Sequence, residues 1–123
     1  MNVLLSIKPQ YAEQIFNGTK KYEYRKSIFK LKNVQTIIVY ASSPIKQVIG
    51  EFSIDHIFCA DVDTVWEVTK QYAGVSHDFY KSYFANKKRA YAIKIGSPQR
   101  YAQPRILSDY GLQVAPQSFA YVR

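Results

Sequence analysis

The chain has 123 residues, of which 47% are hydrophobic, so a compact core is expected and disorder is excluded. Lysine and arginine number 17 against 9 acidic residues, a net charge of +8 that points to polyanionic partners, nucleic acid first. One cysteine and two histidines without ligand spacing exclude a disulfide framework and leave no metal or cofactor to expect.

Val3–Ile7 is an apolar run ending at Lys8-Pro9, the pattern of a buried first strand. Pro9 suits the first position of a helix, and Ala12, Ile15 and Phe16 recur at helical spacing before Asn17-Gly18 ends it. From Lys21 to Arg25 the pattern alternates, with Lys21, Glu23 and Arg25 on one face and Tyr22 and Tyr24 on the other. Lys20 sits in the tight connection after Gly18, free to leave that alternation and turn to the Glu23/Arg25 face. If the face is buried, the carboxylate and the cations require one another; if it is solvated, they are surface pairs of little consequence.

Gln35–Ala41 is a β-branched strand closed by the turn Ser42-Ser43-Pro44. Gln47–Phe58 reads as a strand in which Gly50 marks a bulge or a close backbone approach. Asp61 or Asp63 can cap a helix carrying Val62, Val65, Trp66 and Thr69, which Gly74 ends. Ser76 caps a second helix whose Phe79, Tyr80, Tyr83 and Phe84 read as core. Cys59, in an apolar stretch, reads as a buried inert thiol, and His56 as a strand residue without a catalytic role. Ala90–Ile95 is a further strand, after which Gly96-Ser97-Pro98 is expected to turn the chain. A helical turn near Leu107–Tyr110 and a closing strand, P-Q-S-F-A-Y-V, complete the reading. The fold class is α+β: a small β-barrel or curled mixed sheet with a short N-terminal helix and a central helical pair, one domain over residues 1–123. The N-terminus lacks the pattern of a signal peptide or a membrane span, so a cytoplasmic location is expected.

The run Gly18-x-Lys20-x-x-Glu23-x-Arg25 after a short helix resembles the signature of the ASCH family, within the PUA-like superfamily. L-S-I-K-P with Tyr11 and Ile15, Tyr40-Ala-Ser-Ser-Pro44, Gly50, Y-A-I-K-I-G and P-Q-S-F resemble further segments, the last two those of a bacterial and phage-borne subgroup described as predicted transcriptional regulators. The resemblance implies a pseudo-barrel whose cleft faces RNA or a modified nucleobase and is lined by Lys20, Glu23 and Arg25. Arg25 would fork onto a phosphate or a base edge, Glu23 would orient the cations, and Lys20 would supply a point charge. Lys8 and the Ser42-Ser43 turn are expected to border the cleft, with Gln117 and Ser118 returning to it. Lys87-Lys88-Arg89, the densest basic run, is either a solvated loop or an extension of the footprint to more phosphates.

The first reading is therefore an RNA-binding module, with a regulatory role in view. The alternative is an enzyme in the same cleft. A similar family hydrolyses an acetylated cytidine with a Lys-Thr-Glu set, but Glu23 stands here where that pattern has threonine. Other ASCH proteins resemble ribonucleases, which implies Lys20 and Arg25 as stabilisers of phosphorane charge. A catalytic lysine needs a lowered pKa, and Glu23 beside Lys20 is expected to act in the opposite direction.

Overall fold

The structure, a computed structural model, describes all residues from Met1 to Arg123. Six strands form one mixed sheet: β1 (Asn2–Ile7), β2 (Tyr22–Arg25), β3 (Thr36–Ala41), β4 (Gln47–Asp61), β5 (Arg89–Arg105) and β6 (Phe119–Val122). Their spatial order is β2-β5-β4-β3-β1-β6. β1 runs parallel to β3, and every other pairing is antiparallel. Strand residues outnumber helical ones, as the α+β reading expects. The sheet is curled but open, because β2 and β6 lie at opposite edges, so the barrel alternative does not hold.

Helix α1 (Pro9–Phe16) starts on Pro9 and stops before Gly18, whose φ of 87° reverses the chain toward β2. Its Ala12 and Ile15 pack against Val3, Leu5, Ile37, Val39, Phe52 and Ile93 to form the larger core. Helix α2 (Val62–Thr69) is capped by Asp61, whose carboxylate accepts from the Thr64 N–H at 3.0 Å. Helix α3 (His77–Tyr83) is capped by Ser76. The two helices close a second core over Tyr24, Val65, Tyr80, Phe84, Ala90 and Ala92.

Gly50 is a close approach. A Cβ there would lie 2.5 Å from both the Gln99 carbonyl oxygen and the Phe16 ring, which only glycine avoids. Gly96-Ser97-Pro98 does not turn the chain. β5 continues through it, and the pairs Ser53↔Gly96 and Glu51↔Gln99 set one more residue on β5 than on β4. Ser97, at a φ of 45°, absorbs that extra residue as a bulge. The long partner strand β4 keeps the ladder in place where a local turn signal would end it. Cys59 is half-buried rather than buried, opposite Tyr91 in the ladder and beside the Arg89 side chain. His56 is exposed on β4, 3.9 Å from Asp55.

Candidate functional site

Between the two cores lies a cavity of about 280 Å³. The end of β1 supplies Ser6, Ile7 and Lys8, α1 supplies Tyr11, and β2 with its approach supplies Lys20, Glu23, Tyr24 and Arg25. Val75, Phe79, Tyr80 and Tyr83 close it from the α3 side, and Gln117 reaches it from the C-terminal segment. Lys20, Glu23 and Arg25 are all buried, at 2%, 7% and 9% exposure, so the solvated-face alternative does not describe this strand. Charged side chains at that depth hold only with partners.

Arg25 Nη2 donates to the Ser6 carbonyl at 3.0 Å and lies 3.2 Å from Glu23 Oε2. Its Nε–H is buried without a hydrogen-bond partner. The Lys20 ammonium donates to the Ala73 carbonyl at 2.6 Å and lies 5.0 Å from the Tyr24 ring centre and 5.5 Å from that of Tyr11. Thr69 donates its hydroxyl hydrogen to the Val65 carbonyl, so the Tyr24 hydroxyl, 2.7 Å from Thr69 Oγ1, is the donor to it. Burial pushes the Tyr24 phenol up to about 12. Tyr24 is thereby fixed with its ring turned to the lysine.

Burial lowers the pKa of Lys20; Glu23 opposes this and Arg25 adds to it. Glu23 thus acts in the direction the sequence predicts, raising the lysine, but burial outweighs it. Desolvation is the larger effect, since only the fold sets how deeply Lys20 is placed.

Gly74 explains how Lys20 fits. Its φ is 69°, and a Cβ there would lie 2.6 Å from Lys20 Cγ and 2.7 Å from Gln14 Oε1. Gly74→Ala is expected to cost about 1–2 kcal/mol from the left-handed backbone alone. It should also displace the Lys20 stem. Urea unfolding measures the first effect, and a changed chemical shift of the Lys20 ammonium measures the second.

The sequence-expected residues divide. Lys8, Lys20, Glu23, Arg25 and Gln117 line the cavity. Gln117 is held there because Ser6 Oγ donates to the Pro116 carbonyl at 2.7 Å. Ser42, Ser43 and Ser118 do not line it; the Ser42 N–H is used on the Ile7 carbonyl at 2.9 Å. Lys87, Lys88 and Arg89 are exposed and lie outside it. Sequence reasoning missed Phe79 and Tyr83 by assigning them to the core with their neighbours. Tyr80 and Phe84 are buried, whereas Phe79 and Tyr83 are half-buried, stacked at 9° with ring centres 6.1 Å apart. The i, i+4 spacing could have separated these pairs, because a step of one residue turns the second pair by about 100° around the helix. Lys8 and Lys26 lie over the Phe79 and Tyr83 rings, at 5.6 and 4.6 Å.

A curled mixed sheet flanked by helices, with buried cations and a carboxylate facing aromatic rings in one cleft, defines a PUA-like α+β protein. A model of the ASCH domain matches residues 5–99, and the chain belongs to that family. It is 31% identical over 96 residues to an ASCH domain-containing ribonuclease of Zymomonas mobilis, covering 78% of this chain and 65% of that protein. It is 25% identical over 121 residues to the large ribosomal subunit protein uL22 of Ureaplasma parvum, covering 98% of this chain and 39% of that one. The chain thus spans less than two thirds of either relative. A crystal structure of a serine-to-alanine variant of the Zymomonas mobilis ASCH protein superposes with a TM-score of 0.90 at 28% identity, covering 99% of this chain and 88% of that one. No helix is long and apolar enough to cross a membrane.

Proposed function

We propose that this protein is an RNA-binding module, acting as a single domain over residues 1–123, that holds one unstacked nucleotide of an RNA strand in the cavity. The observation that carries this reading is the convergence of Lys20, Glu23 and Arg25 with the Tyr11, Tyr24, Phe79 and Tyr83 rings in one cleft. Proteins that read RNA take splayed bases onto aromatic faces and hold the flanking backbone with cations. Arg25 presents the fork for a phosphate or base edge, and Glu23 holds it in place and can accept from an exocyclic amine. Lys8 and Gln117 stand at the rim, and Lys87, Lys88 and Arg89 extend the electrostatic footprint beyond it. Ser42, Ser43 and Ser118 are assigned no contact. Binding without cleavage, on RNA in the cytoplasm, is the property a regulatory role requires.

Affinity for a single-stranded RNA is expected to fall steeply between about 50 and 200 mM salt, measured by fluorescence anisotropy. Changing Lys87, Lys88 and Arg89 together to glutamine should flatten that slope while leaving binding of a mononucleotide unchanged. Salt-insensitive binding, or none at micromolar protein, overturns the reading.

A ribonuclease is the second reading, favoured by the lowered pKa of Lys20 and by the name of the Zymomonas mobilis relative. When a ribose 2′-hydroxyl gives its proton to water and its oxygen attacks the adjacent phosphorus, charge gathers on the phosphorane, the P–O5′ bond breaks and the 5′-oxygen leaves with a proton. Arg25 and Lys20 can stabilise that charge, and a lysine of lowered pKa can donate that proton. End-labelled RNA resolved on a gel separates the readings: intact RNA supports binding alone, and cleavage abolished by Lys20→Arg supports the enzyme. An amidohydrolase acting on a modified nucleoside draws no comparable support, since Glu23 is engaged with Arg25.

A further inference from the structure

Lys20 separates the cavity from a second concavity on its other side. This one has a volume of about 360 Å³ and is lined by Ile15, Gly18, Lys20, Lys21, Lys94, Ile95 and Pro98. It lies between the C-terminal end of α1 and the paired strands β2 and β5, with Lys94 opposite Tyr22 in the ladder. Three lysines share it, and no carboxylate lines it. Neither Lys21 nor Lys94 forms a salt bridge, although Glu13–Arg100, Glu67–Lys70 and Glu23–Arg25 do elsewhere on the surface and in the cavity. Their ammonium groups lie over the tyrosine rings of Tyr72 and Tyr22, at 4.6 and 5.6 Å, so both stems are laid along the surface and both charges keep donors to spare. The backbone on either side is already satisfied: Lys21 N–H donates to the Tyr72 carbonyl at 2.9 Å, and Ile95 N–H to the Lys21 carbonyl at 2.9 Å. Gly18 keeps one side open, since a Cβ there would meet nothing within 4 Å. Lys20 itself is partly removed from this groove, because its ammonium is drawn to Ala73.

We infer that this groove is a phosphate-binding subsite, in which Lys21 and Lys94 hold the backbone phosphate next to the nucleotide seated in the cavity. The inference rests on the RNA-binding reading for its ligand, and on the charge of the groove and the wall it shares with the cavity for its place. Lys20 lines both concavities, and the groove is a neighbouring surface whose positive charge no carboxylate compensates, within reach of a strand whose base is seated in the cavity. Lys21 thereby acquires a role that the signature pattern does not give it. Because these contacts go to phosphate, they add affinity and register without reading sequence.

The test uses the variant Lys21→Gln/Lys94→Gln, which keeps side-chain length and removes both charges. Against a six-nucleotide single-stranded RNA the variant is expected to bind about tenfold more weakly than wild type at low salt, with a salt slope reduced by about one. Binding of a nucleoside 5′-monophosphate, which fills the cavity alone, should be unchanged. Inorganic tripolyphosphate titrated into the wild-type protein should shift the backbone amides of Gly18, Lys21 and Ile95 more than those of Val75 and Gln117. An unchanged hexanucleotide affinity in the variant, with wild type binding normally, overturns the subsite and leaves the RNA reading standing. If wild type binds no RNA but tripolyphosphate still shifts the groove amides, the RNA reading fails and the groove stands as an anion site. If tripolyphosphate leaves those amides in place, the subsite is overturned whatever the RNA result.

Discussion

Glu23→Ala is expected to lower folding stability by about 3 kcal/mol, because it leaves the buried Arg25 guanidinium and Lys20 ammonium without their carboxylate. The pair is nearly enclosed, with both side chains 10% exposed and 3.2 Å between Arg25 Nη2 and Glu23 Oε2. A surface pair would lose a fraction of that. Glu23→Gln should cost less, since an amide oxygen still accepts from Arg25. Arg25→Ala strands Glu23 in turn and frees the Ser6 carbonyl. The double variant Glu23→Ala/Arg25→Ala is then expected to be more stable than the two single losses added together, by about 1 kcal/mol or more. Urea unfolding of the four proteins measures this cycle. Additive losses would show that the two groups do not act as a unit.

Lys20→Met is expected to separate stability from binding. The change should reduce RNA affinity about tenfold or more, since it removes a buried charged donor from the cleft. Its effect on folding should stay within about 1 kcal/mol, because the lost hydrogen bond to Ala73 is offset by no longer burying a cation. The pH dependence gives a sharper check. The folded-state pKa of Lys20 lies below its ordinary 10.5, so between those two values the unfolded chain binds more protons than the folded one. Stability should therefore rise with pH across that window, and below it the cost of the buried charge is fully present. Tyr24 acts with the opposite sign near the top of the range: its phenol is raised to about 12, so its contribution is present below 10 and is lost as the pH climbs through 12. The difference between wild type and Lys20→Met cancels the tyrosines. A difference that does not change from neutral pH to about 10 would mean that Lys20 is not desolvated in the folded protein.

Local pattern by itself determined much of this molecule. Pro9 and Gly18 bound α1, Asp61 and Ser76 cap α2 and α3, and the apolar runs at Val3–Ile7 and Thr36–Ala41 pair as buried strands. These features rest on propensities and caps that act within a few residues, so they are legible without the fold. The charge set Lys20, Glu23 and Arg25 was legible for the same reason, since a turn followed by strand alternation brings the three together. Tertiary structure decided what they face. Lys20 meets the Ala73 carbonyl, Arg25 meets Ser6, and Ser6 draws in Pro116, contacts between segments far apart in the chain. Only packing chose which aromatic pair of α3 entered the core, carried β5 through Gly96-Ser97-Pro98 and left the sheet open between β2 and β6. The sign of the Lys20 shift belongs with these. Glu23 is a near neighbour in sequence and visible there, whereas desolvation is the summed effect of every element packed around the ammonium, and it is the larger of the two.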